Sequence, residues 1–117
     1  MHPLTIITAA LASLSTTATA AKCVHSSLPG QVVWDISADG VKDVAGKCKG
    51  FWDNLNAKKF VGACARVGDP YCGTKGGDKH HLHAVFTTMM WCNKGHVESA
   101  WWEATKNKYG SIQCGIL

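Results

Sequence analysis

The six cysteines restrict the possible folds of this chain more than any other feature. They are Cys23, Cys48, Cys64, Cys72, Cys92 and Cys114, separated by gaps of eight to 25 residues. An even cysteine count in a short secreted chain is typical of a disulfide framework, and six cysteines allow 15 pairings among which the sequence does not choose. No C-x-x-C pair is present, so a zinc ribbon or a thioredoxin-type site is not favoured. We expect disulfides to stabilise a domain whose core burial is limited by its size.

The beginning of the chain has the pattern of a secretory signal peptide. An apolar segment at about residues 4–14 is followed by small residues, and Ala-Thr-Ala at residues 18–20 has the form of a cleavage site. The apolar segment is too short to span a bilayer. We therefore predict a signal peptide at residues 1–21 and a single cysteine-rich α+β domain at residues 22–117, secreted to the extracellular space without stable membrane insertion.

The charge of the chain is modest and dispersed. Twelve Lys and Arg stand against eight Asp and Glu, which gives a formal net charge of +4. The basic residues form no block of five or six like charges. A weak attraction to anionic surfaces fits this pattern, but a basic stripe for nucleic acid does not. We therefore expect no nucleic-acid partner.

Hydrophobic periodicity predicts six elements of secondary structure. In chain order they are a strand at 31–36, a helix at 41–55, a strand at 60–67, a strand at 81–91, a helix after the N-cap Asn93, and a short strand containing Cys114. A polar loop at 68–79 carries Cys72 and several turn signals. The order βαββαβ predicts a disulfide-stabilised ferredoxin-like fold, with one antiparallel four-stranded sheet and two helices on one face.

Two histidines of the third predicted strand are candidate site residues. Side chains alternate along a strand, so His81 and His83 would share the outer face of the sheet, away from the helices. Two imidazoles at i, i+2 can hold a metal if a third ligand is near, with His80, Asp78, Asp69 and His25 as the candidates. Two solvated histidines at the start of a strand are the simpler interpretation, and we predict no metal site.

A nuclease needs two acid–base groups that titrate near the working pH. His81 or His83 could pair with Glu98 or Glu103, with Arg66 as the stabiliser of the anion. Both glutamates belong to the second predicted helix, on the other side of the sheet from the histidines. This geometry is poor, so we treat a nuclease as an alternative.

No catalytic or cofactor-binding motif stands out elsewhere. The chain has no Gly-x-Ser-x-Gly elbow, no His-Glu-x-x-His pair and no phosphate-binding loop. An even number of cysteines leaves no spare thiol as a nucleophile. We predict that the protein is not an enzyme and binds no cofactor.

Five tryptophans are too many for the core of so small a domain. Trp102 lies off the apolar stripe of the second helix, and Trp91 falls on the outer sheet face. Partly exposed tryptophans are candidate contacts for a protein or a sugar. The alternative is that Trp102 packs against a chain terminus. We take Trp102, Trp91, His81 and His83 as the candidate binding surface.

The signal peptide, the six cysteines and the βαββαβ order together resemble the small secreted cysteine-rich effectors of plant-pathogenic fungi. The plan is similar to the killer-toxin-like α/β fold and looks closest to the Secreted-in-Xylem and blackleg avirulence-type effectors that act in pairs. The resemblance covers the whole predicted mature chain and rests on the cysteines and the order of elements.

The resemblance implies a virulence factor that binds a protein, either a second effector or a host protein. It would act in the host apoplast, or after translocation into host cells or to plasmodesmata, and could aid the movement or recognition of its partner. Two alternatives stay open. One is an antifungal killer-type toxin, and the other is a secreted RNase-like or metal-binding protein that uses His81 and His83.

Overall fold

The computed structural model describes residues 21–60 and 62–117, with only the backbone described at Lys59. The predicted signal peptide at residues 1–21 lies outside these residues, apart from Ala21. The elements, in chain order, are β1 (Lys22–Leu28), β2 (Gln31–Ala38), α1 (Val44–Leu55), a 3₁₀ turn (Lys58–Phe60), β3 (Arg66–Lys75), β4 (Asp78–Met89), α2 (Lys94–Thr105) and β5 (Cys114–Ile116).

The strands form one five-stranded sheet in the order β3-β4-β2-β1-β5. The β1–β2, β2–β4 and β3–β4 pairs are antiparallel, whereas β5 runs parallel to β1. The structure therefore confirms an α+β fold with two helices and three disulfides. The predicted antiparallel four-stranded ferredoxin-like sheet is wrong, because the sheet is mixed and has a fifth strand.

The missing strand is β1. Its sequence, KCVHSSL, has little hydrophobic alternation, so its periodicity did not indicate a strand. It forms because a two-residue turn at Pro29 and Gly30 folds it back onto β2, and Gly30 takes a positive φ of 72°, which a type II turn requires after its proline. Pairing with a neighbouring strand thus outweighs the local pattern.

The second predicted strand, at 60–67, is also wrong. Its first residues belong to the 3₁₀ turn and a following turn, and β3 starts only at Arg66. Most of β3 lies in the segment predicted to be a polar loop, and it carries Cys72 within the strand. Backbone pairing with β4 holds this polar segment extended, and an irregularity between Val67 and Tyr71 accommodates the Asp-Pro step.

The core lies between the helices and one face of the sheet. In β4 the buried side chains are Leu82, Ala84, Phe86 and Thr88, as the predicted alternation requires. Phe51 of α1 meets Phe86 edge-on at 5.5 Å between ring centroids and meets Trp101 of α2 at 6.1 Å. Aromatic packing thus joins the sheet to both helices.

Both helix starts are capped by side chains. Asn93 accepts the backbone N–H of His96, which confirms the predicted cap of α2. The cap of α1 is Asp43, which accepts a hydrogen bond from the backbone N–H of Gly46. Helix α1 therefore begins at Val44, three residues after the predicted start at position 41, because its N-terminal cap is Asp43.

The cysteines pair as Cys23–Cys114, Cys48–Cys72 and Cys64–Cys92. The first joins β1 to β5, the second joins α1 to β3, and the third joins the turn before β3 to the segment before α2. Three disulfides in so short a chain indicate an extracellular or secreted protein. Within the described residues, no helix is long and apolar enough to cross a membrane.

Candidate functional site

The outer face of the sheet, opposite the helices, carries both candidate histidines. His81 and His83 alternate with the buried Leu82 and Ala84 of β4, so both imidazoles point away from the core and are partly exposed. Each imidazole contacts a carboxylate of β2 that the sequence analysis did not connect with it. His81 Nδ1 lies 2.5 Å from Asp39 Oδ1, and His83 Nε2 lies 3.1 Å from Asp35 Oδ1.

These contacts define the proton positions on both rings. An ionised carboxylate only accepts hydrogen bonds, so the nitrogen that faces it must carry the proton. His81 therefore donates from Nδ1 and His83 from Nε2. In the neutral ring this leaves His81 Nε2 and His83 Nδ1 as acceptors. The two histidine–aspartate pairs therefore each present one basic nitrogen on the outer face.

The register of the strands explains why the pairs form. Ser37 of β2 lies opposite His83 of β4, so Asp35 and Asp39 flank that position on the same side of the sheet. Asp35, Ser37 and Asp39 are spaced by two residues, which is a polar outer-face pattern. This spacing is the sequence signal that could have placed the two aspartates on the outer face of the sheet. Which strand would lie beside β2 could not be inferred from it.

Tyr71 of β3 completes this part of the outer face. Its ring centroid lies 6.4 Å from that of His83, and its hydroxyl donates to the Thr74 carbonyl at 2.6 Å. The residue opposite His83 on β3 is Gly73, where an added Cβ would lie 2.7 Å from the Tyr71 hydroxyl oxygen. The tyrosine ring thus occupies the space above this glycine and stays exposed beside His83.

The structure does not bring the other proposed nuclease residues to the histidines. Glu98 accepts the backbone N–H of Cys114 at 2.9 Å, and Glu103 is 3.2 Å from Lys106 Nζ. Arg66 lies on the core side, where its guanidinium carbon is 4.5 Å from the centroid of the Trp52 ring. Burial there lowers the pKa of Arg66 from its usual value.

No candidate for a third metal ligand joins the histidine pairs in the described part of the chain. His25 pairs in register with the buried Trp34, and its ring centroid is 5.1 Å from that indole, so it faces the core. Among the described residues, three possible ligands converge within 4.8 Å only at Cys64, Cys92 and His96. Those two cysteines are bonded to each other, so their sulfurs are not thiolates.

A second exposed feature lies at the other end of β4. Met90 and Trp91 follow the strand and are 62% and 60% exposed, and Leu28 at the end of β1 is 49% exposed. Met90 N–H donates to the Gly30 carbonyl at 3.1 Å, which holds the β1–β2 turn against this segment. We call Leu28, Met90 and Trp91 the turn-end patch.

The four residues predicted as a binding surface do not lie together. Trp91 belongs to the turn-end patch beyond Met89, the last residue of β4, which is about 20 Å along the strand from His83 at 3.3 Å per residue. Trp102 is 46% exposed but lies on α2, in the helix layer behind the sheet. His81 and His83 are on the outer sheet face. The molecule thus presents three separate surfaces where the sequence predicted one.

Comparison with known proteins gives no family for this chain. No protein-family model matches the sequence, and no curated protein matches it significantly. One solved structure that matches is the essential ribosomal processing protease Prp from S. aureus with a covalently linked product peptide. The match has 14% identity, covers 83% of this chain and 99% of that chain, and has a TM-score of 0.35. A likeness this low carries no argument about fold or function.

Proposed function

We propose that this protein is a secreted effector of a plant-pathogenic fungus that acts in the host apoplast by binding another protein. The turn-end patch is the observation that carries the proposal. Three large apolar side chains stand exposed at one end of the sheet, and the other exposed large apolar residues of the described chain are Tyr71, Trp102, Ile116 and Leu117. Such a cluster is unfavourable in water and becomes favourable when a partner covers it.

The composition of the patch fits a protein contact. Trp and Met are enriched at the centres of protein interfaces, and a single buried Trp often contributes most of the binding energy. The backbone bond from Met90 to Gly30 restrains the segment, so less ordering entropy is lost on binding. The proposed partner is a second effector or a host protein, and contact alone is sufficient for this role.

The three disulfides support an extracellular site of action. They close loops whose ends are 91, 24 and 28 residues apart, and together they restrain the described domain from β1 to β5. Chains cross-linked by disulfides persist in oxidising surroundings such as the apoplast. The proposal needs no entry of this protein into host cells.

Infection assays with matched variants test the function. The gene is deleted in the producing organism, and the strain is complemented with the wild type, with Met90→Ser/Trp91→Ser, or with Trp102→Ser as the control for loss of an exposed tryptophan. We expect deletion to reduce colonisation, and the wild type and the Trp102 variant to restore it. The patch variant should not restore it, although it is secreted in equal amount.

Full restoration by the patch variant would contradict the role of the turn-end patch. Unchanged colonisation after deletion of the gene and of any close copy would contradict the effector role. Growth inhibition of competing fungi by the oxidised protein, without an effect on infection, would identify a killer-type toxin in its place.

A further inference from the structure

The outer sheet face carries a group of side chains that the proposed protein contact does not use. His81 and His83 stand on the same face of β4, two residues apart, so their Cα atoms are separated by about 6.6 Å. Each ring is hydrogen-bonded to its own aspartate, Asp39 or Asp35. We propose that these two histidines form a general acid–base site that cleaves single-stranded RNA.

The aspartates prepare both imidazoles for proton transfer. A carboxylate bonded to one ring nitrogen fixes the tautomer and stabilises the imidazolium that forms when the other nitrogen takes a proton. His81 Nε2 and His83 Nδ1 are the nitrogens left to react. Two imidazoles at neighbouring outward positions of one strand can therefore serve as the base and the acid of a proton-transfer reaction.

The surroundings of the two imidazoles bear on the class of substrate. Among the described residues, no hydroxyl or thiol is hydrogen-bonded to either imidazole, and all six cysteines are in disulfides. Three metal ligands do not converge at these histidines within the described part of the chain. The pair can move protons, and a substrate that brings its own nucleophile, as RNA does with its 2′-hydroxyl, needs only that proton transfer from it.

The reaction balances with the two histidines alone. The neutral imidazole takes the proton of the 2′-hydroxyl while O2′ attacks the adjacent phosphorus. The bond between phosphorus and O5′ breaks, and the imidazolium gives its proton to O5′. The products are a 2′,3′-cyclic phosphate and a free 5′-hydroxyl, and proton exchange with water resets the two rings.

Neighbouring side chains provide a place for the nucleotides. The exposed ring of Tyr71 lies 6.4 Å from that of His83 and is held by its bond to the Thr74 carbonyl, so a base can stack on it. Lys22 of β1 falls in the same cross-strand row as Ser37 and His83, which puts a positively charged residue on the same face of the sheet.

Charge does not prevent phosphate from approaching. An aspartate paired with an imidazolium is neutral as a unit, so the acid half of the site does not repel the substrate. The dispersed positive charge of the chain led us to expect no nucleic-acid partner, but a site that acts on one phosphate needs no basic stripe.

The test uses the oxidised secreted protein and a short single-stranded RNA with a fluorophore and a quencher at its ends, in the presence of EDTA. We expect cleavage with a bell-shaped dependence on pH, and mass spectrometry should find the 2′,3′-cyclic phosphate. The same sequence in 2′-O-methyl RNA should remain intact, because its nucleophile is blocked.

Variants distinguish the site from a contaminating nuclease. His81→Asn and His83→Asn should each reduce the rate at least about 100-fold, as expected for loss of an acid–base group. His80→Asn, which replaces the exposed neighbour, should cleave like the wild type. Equal cleavage by all three variants, or no cleavage by the folded wild type, would overturn the proposal. Met90→Ser/Trp91→Ser should cleave normally, so failure of the RNA activity and failure of the protein contact are separable.

Discussion

The indole Nε1–H of Trp34 donates to Thr88 Oγ1 at 2.9 Å, and both residues are fully buried. A buried N–H that loses its acceptor costs about 1–3 kcal/mol. Thr88→Val keeps the shape of the side chain but removes the acceptor, so we expect it to lower the free energy of unfolding by that amount. Urea denaturation measures the change. Thr88→Ser keeps the hydroxyl and should therefore lose less stability than Thr88→Val. A Thr88→Val protein as stable as the wild type would contradict a stabilising role for this hydrogen bond.

Cys23 and Cys114 join strands from opposite ends of the described chain. Their disulfide closes a loop with a sequence separation of 91 and holds β5, which has only three residues, against β1. Loss of a long-loop disulfide from a small secreted domain typically costs 2–5 kcal/mol.

We therefore expect the Cys23→Ser/Cys114→Ser variant to lose about 2–5 kcal/mol of its free energy of unfolding, measured by denaturant titration. Hydrogen exchange should report the loss of protection first at β5 and at the Cys23 end of β1. Uniform loss across the sheet would show that β5 is not held mainly by this bond.

Substitution to alanine should change stability differently at the two glycines of α1. A Cβ at Gly50 would meet Ala104 of α2 at 3.5 Å, which is ordinary contact, so Gly50→Ala should gain about 0.5–1 kcal/mol from helix propensity. A Cβ at Gly46 would lie within contact distance of the Asp43 carboxylate that caps the helix, and it must displace that carboxylate. Loss of the cap costs about 0.5–2 kcal/mol and cancels the gain.

Thermal melts of the two alanine variants, measured side by side, check this difference. Gly50→Ala should be the more stable of the two by about 0.5–2 kcal/mol, the cost of the lost cap, when the melting temperatures are converted to free energies. Equal stabilisation by both substitutions would mean that the Asp43 cap contributes little.

The elements with a strong local pattern of apolar and polar residues could be predicted from the sequence. β4 alternates cleanly between buried and exposed positions, and α2 has both an apolar stripe and a good cap residue in Asn93. These features are local, and the structure confirms them. The α+β class and the presence of disulfides also follow from composition and order.

The features that depend on pairing were not predictable from the chain alone. β1 and β3 are too polar to be recognised without their neighbours, and β5 is parallel to β1 only because the chain returns to that edge after α2. The cysteine pairing follows from this topology. The aspartates of the histidine pairs were missed for the same reason, since Asp35 and Asp39 meet His83 and His81 only when β2 lies beside β4.

Photo-crosslinking at the turn-end patch tests the central claim most directly. A photoreactive residue is placed at position 91 in one variant and at position 102 in a matched control, and both proteins are activated by light in the apoplastic fluid of infected tissue. We predict one discrete crosslinked partner from position 91, lost when wild-type protein is added in excess, and none from position 102. No specific product from position 91, or the same set of products from both positions, would contradict a protein contact at this patch.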